Sequence, residues 1–311
     1  MTRSKNHVKA ILAAIGVYTL WGFSFLASKV GQESVTPFVL MAYRFDIAVL
    51  VLSIPVIFGR VKLRLRGKNI KPLLLLGAME PCIYFIGEQY GQRYTNSAFS
   101  GLMIAVIPVV TLIMAAGFLK DRPSRAQWLF SLLSIAGVIV VTLAENSGGE
   151  IRLIGVVCLV AAVITGSAYG VISRGISDEF TVYERTYFMQ VMGAVFYTVL
   201  ALTEQRGSLG AITAPLANGE FVLSILFLSL GASVLGYSLF NYAVSNAPMA
   251  NVISLCNLTT VISVAAGIVL LDEPFSPVSV IAMLAVLVGI WGVQKFPPKE
   301  QRVTCQTKCN S

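Results

Sequence analysis

The chain has 311 residues, of which 56% are hydrophobic and only 12% are charged, and its formal net charge is +8. The mean hydropathy is strongly positive, so the composition excludes a soluble globular protein and indicates an integral membrane protein. The basic excess does not indicate nucleic-acid binding, because no polar segment is long enough to fold around a core of its own.

Apolar segments long enough to cross a bilayer recur along the whole sequence. A helix needs about 20 predominantly apolar residues to cross a hydrocarbon core of roughly 30 Å. Ten segments of this kind are predicted, at residues 10–30, 37–58, 72–91, 97–119, 126–144, 153–173, 184–203, 220–243, 249–271 and 277–295. We therefore predict an all-α integral membrane protein with ten transmembrane helices.

The Lys and Arg residues are divided unevenly between the two sides of these predicted spans. With the N-terminus inside, 18 of the 23 fall on the cytoplasmic side, including Arg174, Arg185 and six between Arg60 and Lys71. Four fall outside, namely Lys29, Arg93, Arg152 and Arg206. Because basic residues accumulate in cytoplasmic loops, both termini are predicted to be cytoplasmic. The expected location is the plasma membrane, the cell inner membrane, with contact to anionic lipid.

Charged residues inside the second and third spans are the main candidates for a functional site. Glu80, Tyr84 and Glu88 have i, i+4, i+8 spacing, which places them on one broad face of a helix. A charge near the centre of a membrane helix costs about 2.5–3.5 kcal/mol on insertion scales, so it normally faces a cavity or a partner. We therefore predict that Glu80 and Glu88 bind a proton or a substrate.

Arg44 in the second span leaves two interpretations open for these carboxylates. Arg44 and Glu88 both fall in the outer half of the membrane, so Arg44 could form a buried structural ion pair with Glu88 or with Asp46. A carboxylate at Glu80 without such a partner would exchange a proton during transport. One held by Arg44 would instead be a fixed counter-charge.

Two prolines inside predicted spans are candidates for hinges. Pro81 follows Glu80 directly, and Pro108 lies within the fourth span. Each removes a backbone hydrogen bond from a helix and loosens it locally. The alternative is that they have no mechanical role, since prolines are more frequent in membrane helices than in soluble ones.

Aromatic and amide side chains complete the predicted site. Trp21, Tyr237, Asn241 and Asn257 are expected to line a cavity and orient a substrate, together with Tyr84. Asn257 lies in the middle of the ninth span, where its amide needs a partner from another helix or from a ligand.

The second half of the sequence repeats the first. Residues 118–141 match residues 269–292, with Asp121 aligned to Asp272 at an offset of 151 residues (272 minus 121). Because five spans are an odd number, the second copy enters the membrane from the opposite side, as in many secondary transporters. We predict a first five-helix repeat at residues 1–145, a second, inverted repeat at residues 150–296, and a cytoplasmic tail at residues 297–311.

The duplication provides an internal control for the two glutamates. At the same offset, Gly231 stands in the place of Glu80 and Leu239 in the place of Glu88. The repeat fold therefore does not require carboxylates at these positions, which favours a functional role for them.

Several motifs together resemble EamA-type members of the drug/metabolite transporter superfamily. They are LWGFSFLASK at residues 20–29, MAYRFDIAVL at 41–50, GQRYTNSAFSGLMIAVIPVVTLIMAAGFLKDRPS at 91–124 and LDEP at 271–274. The resemblance implies a ten-helix, inverted-repeat carrier that moves small organic metabolites, often outward. It further implies a central cavity lined mainly by helices 1, 3, 4, 6, 8 and 9, with helices 5 and 10 at the periphery. The chain differs in having Glu80 and Glu88, since the third helix of such proteins is usually apolar.

The expected function is secondary active transport of small organic metabolites, either amino-acid-like or amphipathic, by alternating access. Export is the expected direction, and protons are a candidate coupling ion. The alternative is a cation-selective multidrug or polyamine efflux carrier, which two unpaired carboxylates in the cavity would favour. An intramembrane enzyme is the third class, but the predicted spans contain no His and no HExxH motif. We predict a small-molecule substrate, no catalysis, no cofactor, no metal site, and a monomer or homodimer.

The predicted topology can be tested by cysteine labelling. In a variant whose native cysteines are replaced, Ser311→Cys should resist an impermeant maleimide in intact cells and react after permeabilisation. Arg206→Cys, predicted to lie outside, should react in intact cells. Reaction of Ser311→Cys from the outside would contradict the ten-span topology.

Overall fold

A computed structural model describes residues 2–95, 103–104, 106–120, 123–144, 152–208, 210, 213–271 and 277–296. These residues form helices joined by short connections, and none of them belongs to a β-strand. The predicted tail at residues 297–311 and the two aligned aspartates, Asp121 and Asp272, lie outside the described residues. The described part of the chain is therefore all-α, as the composition predicts.

The helices follow the predicted spans closely. The first half contains α1 (Thr2–Gln32), α2 (Pro37–Ile57), α3 (Lys71–Gly77), α4 (Tyr84–Tyr94), α5 (Ile107–Phe118) and α6 (Arg125–Ala144). The second half contains α7 (Leu153–Gly175), α8 (Val182–Glu204), α9 (Gly219–Leu226), α10 (Tyr237–Asn246), α11 (Met249–Ile253), α12 (Leu258–Leu271) and α13 (Pro277–Lys295). Two π-helical segments, Ala78–Ile83 and Phe227–Gly236, join α3 to α4 and α9 to α10. A 3-10 turn, Ser254–Asn257, joins α11 to α12.

Five helical stretches are long and apolar enough to cross a membrane. They are Asn6–Gln32, Pro37–Ile57, Leu153–Gly175, Val182–Glu204 and Gly219–Asn246. Shorter apolar helices occur at Ile107–Phe118, Arg125–Val140, Met249–Ser263 and Val280–Lys295. The chain is thus a multi-pass membrane protein, while the count of ten spans and the cytoplasmic position of the termini stay predictions.

Helices of the two halves pair with each other in opposite directions. α6 packs along α13, where the Ser124 hydroxyl donates to the Phe296 carbonyl and the Ser134 hydroxyl to the Val286 carbonyl. Rising residue numbers on α6 therefore meet falling numbers on α13, so the two helices are antiparallel.

The same antiparallel order joins α2 to α8. Thr36 at the start of α2 contacts Glu204 at the end of α8, and Ser53 near the end of α2 contacts Tyr187 near the start of α8. α1 also packs on α10, and α4 packs on α7. This is the pairing expected of two inverted five-helix repeats, whose exact boundaries stay predictions.

One helix of the first half is interrupted, and a π-helical segment stands at the matching place in the second half. Glu80 has the extended backbone angles φ −143° and ψ 122° inside the Ala78–Ile83 segment, with Pro81 next to it. The offset of 151 residues places Ala78–Ile83 on residues 229–234, within the second π segment, Phe227–Gly236. Discontinuous helices of this kind mark the binding sites of many secondary transporters.

The two prolines predicted as hinges have different local settings. Pro81 lies in the break itself. Pro108, expected to interrupt a continuous helix, instead lies in the first turn of α5, which begins at Ile107. A proline in the first turn removes no intrahelical hydrogen bond, so the expected loss of such a bond does not occur at Pro108, and a hinge there stays a prediction.

Glycines let α4 and α7 approach each other closely. A Cβ atom on Gly87 would lie 2.6 Å from the Cys158 carbonyl oxygen, and one on Gly91 would lie 2.5 Å from Leu159 Cγ. Small residues spaced four apart commonly permit such contacts between membrane helices. The spacing of Gly87 and Gly91 therefore has a packing role.

Gly87→Ala should destabilise the protein, because the obstructing atom belongs to the backbone of α7. We expect the free energy of unfolding in detergent micelles to fall by about 1–3 kcal/mol, as for other overpacked sites. Gly117→Ala in α5 is the matched control, since a Cβ there meets nothing within 4 Å. Equal unfolding free energies for the two variants would contradict the close approach of α4 to α7.

Candidate functional site

Three charged side chains from the first half are buried together beside the break. Glu80, Glu88 and Arg44 are 7%, 6% and 4% exposed. Glu80 interacts electrostatically with both Glu88 and Arg44, and Arg44 also interacts with Glu88. The structure thus brings together the three charges that the sequence analysis singled out in the second and third spans.

Glu80 is held by a tyrosine from the other half of the protein. The Tyr237 hydroxyl on α10 donates a hydrogen bond of 2.5 Å to Glu80 Oε1. Among the described residues, Glu80 Oε2 has no hydrogen-bond partner. One carboxylate oxygen is therefore fixed across the interface between the halves, and the other is available.

The backbone around Glu80 is supported by α8. The Tyr197 hydroxyl lies 3.1 Å from the carbonyl oxygens of both Pro81 and Cys82 and donates to them. A Cβ on Gly193 would lie only 2.6 Å from Pro81 Cγ, so the glycine makes room for the proline ring. An irregular backbone inside a membrane persists only where such partners satisfy its polar groups.

Glu88 has a tyrosine partner on its own helix. The Tyr84 hydroxyl donates to Glu88 Oε1 over 3.0 Å, as the i, i+4 spacing allows. Within the described residues, Glu88 Oε2 has no partner. Each glutamate thus has one oxygen bonded to a tyrosine and one oxygen that is not.

Arg44 is buried without an ion pair. Its Nε donates to Ser233 Oγ over 2.7 Å, and its guanidinium carbon lies 5.0 Å from the centre of the Phe85 ring. Neither terminal nitrogen has a hydrogen-bond partner in the described part of the chain. The ion pair observed among the described residues joins Lys68 to Glu184. Arg44 forms no ion pair with Glu88 or with Asp46.

Asp46 faces away from Arg44. Both of its carboxylate oxygens accept from Thr198 Oγ1 on α8, over 3.0 and 2.9 Å. Asp46 therefore ties α2 to α8 and does not contribute to the cluster around Glu80.

Trp21 and Tyr237 belong to a packed group of aromatic rings. The group, called here the aromatic cluster, consists of Tyr18, Trp21, Tyr169, Tyr237 and Phe240, whose neighbouring centroids lie 5.2–6.4 Å apart. Trp21 Nε1 also donates to the Ala232 carbonyl in the second π segment, over 3.1 Å. The cluster forms an apolar wall next to Glu80, to which it is joined by the Tyr237 hydroxyl.

The two amides predicted to line the cavity are engaged within the protein. Asn257 Nδ2 donates to Ser134 Oγ on α6 over 2.9 Å, so its partner is another helix. Asn241 accepts from Tyr169 and Ser173 through Oδ1 and donates to Thr186 through Nδ2. Both side chains connect helices in this structure.

Arg185 is a buried residue that the sequence analysis missed. It was counted among the basic residues at the cytoplasmic boundary, yet it is fully buried. Its Nη1 donates to the Ser173 carbonyl and hydroxyl over 2.6 and 2.7 Å, and its Nη2 to the Asn241 carbonyl and the Ser245 hydroxyl over 3.1 and 2.5 Å. The available signal was its position inside the predicted span 184–203, which begins one residue before it at Glu184 of the α8 capping box.

The cluster has the chemistry of a binding site for charged groups. A guanidinium with two available nitrogens can take a carboxylate in a bidentate manner, and the available carboxylate oxygens can take an ammonium group or a proton. Within the described residues, no group of three or more His, Cys, Asp or Glu side chains could hold a metal ion.

Comparisons with known proteins agree with this architecture. The EamA-like transporter family matches residues 8–143 and 153–294, once in each half. An uncharacterized transporter, YcxC of Bacillus subtilis (strain 168), is 29% identical over 286 residues, which cover 91% of this chain and 92% of that protein. A probable terminal-alkyne amino-acid exporter of Streptantibioticus cattleyicolor is 27% identical over 288 residues, with 92% of each chain covered. One solved crystal structure aligns with a TM-score of 0.73 at 17% identity, covering 91% of this chain and 95% of that chain, and it shows the fold alone.

Replacement of Arg185 by lysine should destabilise the protein. The lysine ammonium has three donors and no planar fork, so it cannot reproduce the contacts to α7 and α10 together. We expect Arg185→Lys to lower the free energy of unfolding by about 1–3 kcal/mol, as measured by unfolding of the purified protein in detergent. Arg206→Lys, at an exposed position, is the control and should leave the stability unchanged. An equally small effect at Arg185 would show that its hydrogen bonds contribute little.

Proposed function

The chain belongs to the EamA-like transporter family, and we propose that within this family it is a secondary active carrier that exports small amino-acid-like metabolites by alternating access. Membership of the family makes it a membrane transporter of a small-molecule substrate, and points away from catalysis. The substrate class, direction and coupling are the proposal.

The observation that carries the proposal is the unpaired Arg44 next to two glutamates. Arg44 is buried with two nitrogens that no described residue occupies, while Glu80 and Glu88 each keep one available oxygen. Buried charges are normally paired. A substrate that carries a carboxylate and an ammonium group would pair Arg44 and one of the two glutamates, and an α-amino acid is the simplest such molecule.

One relative supports an amino-acid-like substrate, although not a particular amino acid. One relative that covers 92% of this chain is named a probable amino-acid exporter. That name describes the relative, but the groups available around Glu80 provide an independent chemical reason for the same class of substrate here.

The architecture supports alternating access between the two halves. Two hydrogen bonds at the site join the two halves, because Tyr237 of the second half bonds to Glu80 and Ser233 of the second half bonds to Arg44. Rocking of one half against the other would therefore change the surroundings of both charges. We further propose ten spans, cytoplasmic termini and a plasma-membrane location, because the pairing of the helices and the basic-residue bias fit that arrangement.

A cation-selective multidrug or polyamine carrier is the second candidate. The two carboxylates favour it, because they would attract cations in a buried site. Arg44 disfavours a cation-selective carrier, because a cationic substrate without a carboxylate would leave the guanidinium unpaired. Transport of amino acids but not of polyamines would therefore favour the first candidate.

Glu80→Gln should abolish substrate-driven proton movement while the protein still folds and inserts. The amide oxygen can still accept from Tyr237, but an amide does not exchange a proton or pair with an ammonium group. In proteoliposomes with a pH-sensitive dye, addition of an amino acid should move protons with the wild-type protein and not with the variant.

Asp46→Asn is the matched control, because it removes a carboxylate that is bonded to Thr198 outside the cluster. It should retain the wild-type proton signal. Wild-type transport with an unchanged dependence on the pH gradient in Glu80→Gln would show that Glu80 is structural, and would overturn the proposed role.

A further inference from the structure

The cluster beside the break contains one more carboxylate than it has basic groups. Arg44 on α2 is buried with Glu80 of the break and Glu88 on α4 and interacts electrostatically with both, without forming an ion pair with either. The other titratable groups that interact with these glutamates are phenols and thiols, which are neutral near pH 7. They are Tyr18, Tyr84, Tyr169, Tyr197, Tyr237 and Cys256.

A zwitterionic amino acid does not balance this set of charges. Its carboxylate would pair with Arg44 and its α-ammonium group with one glutamate, which leaves the second glutamate without a cation. An uncompensated charge inside a membrane protein is costly. The loaded site therefore requires one further positive charge, and the described residues around it do not provide one.

Two sources can supply that charge, namely a proton on the second glutamate or a second amino group on the substrate. Glu80 and Glu88 are held by different tyrosines, Tyr237 on α10 and Tyr84 on α4. Two separate cationic groups therefore suit the pair better than one group shared between them. This favours a substrate with two separate amino groups.

We infer that the site is charge-matched to diamino acids, meaning α-amino acids with a second, terminal amino group. With such a substrate the α-carboxylate binds Arg44 and the two ammonium groups bind the two glutamates. When an amino acid with an uncharged side chain binds instead, a proton from solution occupies the second glutamate. This inference rests on the proposed function, whose substrate class it narrows.

Lysine and norleucine form a matched pair of ligands for the test. Norleucine has the same number of side-chain carbons as lysine but lacks the terminal amino group. Binding to the purified full-length protein in lipid nanodiscs is measured by titration calorimetry at pH 7, in buffers with different ionisation enthalpies, which reports the protons taken up.

Lysine should bind with release of about one proton more than norleucine, because its second ammonium group replaces the proton on the second glutamate. Lysine should bind at least about tenfold more tightly, because its terminal ammonium group forms a charge-assisted hydrogen bond that norleucine lacks. Equal proton uptake for the two ligands, or weaker binding of lysine, would overturn the inference. This comparison uses the wild-type protein and does not depend on the folding of any variant.

Single glutamate variants provide a second measurement. Glu88→Gln and Glu80→Gln each leave one carboxylate for one guanidinium, so norleucine binding should become independent of protons and the advantage of lysine should disappear. Asp46→Asn should retain both wild-type properties. If Asp46→Asn also lost the preference for lysine, that preference could not be assigned to Arg44, Glu80 and Glu88, and the inference would be wrong.

The outcomes separate this inference from the proposed function. Binding and transport of norleucine without a preference for lysine would refute the diamino acid match and leave an amino-acid carrier standing. Failure of every tested amino acid to bind a protein that unfolds cooperatively would refute the proposed function itself.

Discussion

A helix that is interrupted inside a membrane must obtain partners for its freed backbone groups from the rest of the protein, because lipid provides none. Beside Glu80, the Tyr197 hydroxyl of α8 donates to the carbonyls of Pro81 and Cys82, while Gly193 makes room for the proline ring. In the other half, Trp21 bonds to the Ala232 carbonyl of the second π segment. Both irregular segments thus receive hydrogen bonds from a helix of the opposite half, and the position of the Glu80 carboxylate depends on that support.

The two halves contribute different chemical groups to the site. The first half contributes the charges, on Arg44, Glu80 and Glu88, whereas the second half contributes the neutral hydroxyls of Ser233 and Tyr237 that hold two of them. The repeat positions of the glutamates are taken by glycine and leucine in the second half. A shared scaffold therefore carries a site that is specific to one copy, as expected where fold and function are set by different residues.

The two buried arginines show why burial alone does not identify a binding residue. Arg185 is fully buried, and its terminal nitrogens donate to four oxygens on α7 and α10. Arg44 is almost as buried, yet only its Nε has a partner among the described residues. The first arginine is engaged in joining helices, whereas the second retains donors for a ligand. What separates them is the number of acceptors that the surrounding helices provide.

The sequence by itself determined the membrane class, the approximate helix boundaries, the duplication and the unusual charges of the second and third spans, because these follow from local hydropathy and from internal comparison. It did not determine which polar side chains are engaged within the protein. Asn241 and Asn257 were expected to face a cavity but bond to other helices, and Arg185 was expected at a boundary but is buried. The hydrogen-bond partners of Glu80 and Arg44 lie 157 and 189 residues away along the chain. Only the tertiary structure could decide these partners, because the packing of helices from opposite halves, and not the local pattern of either helix, sets which donor meets which acceptor.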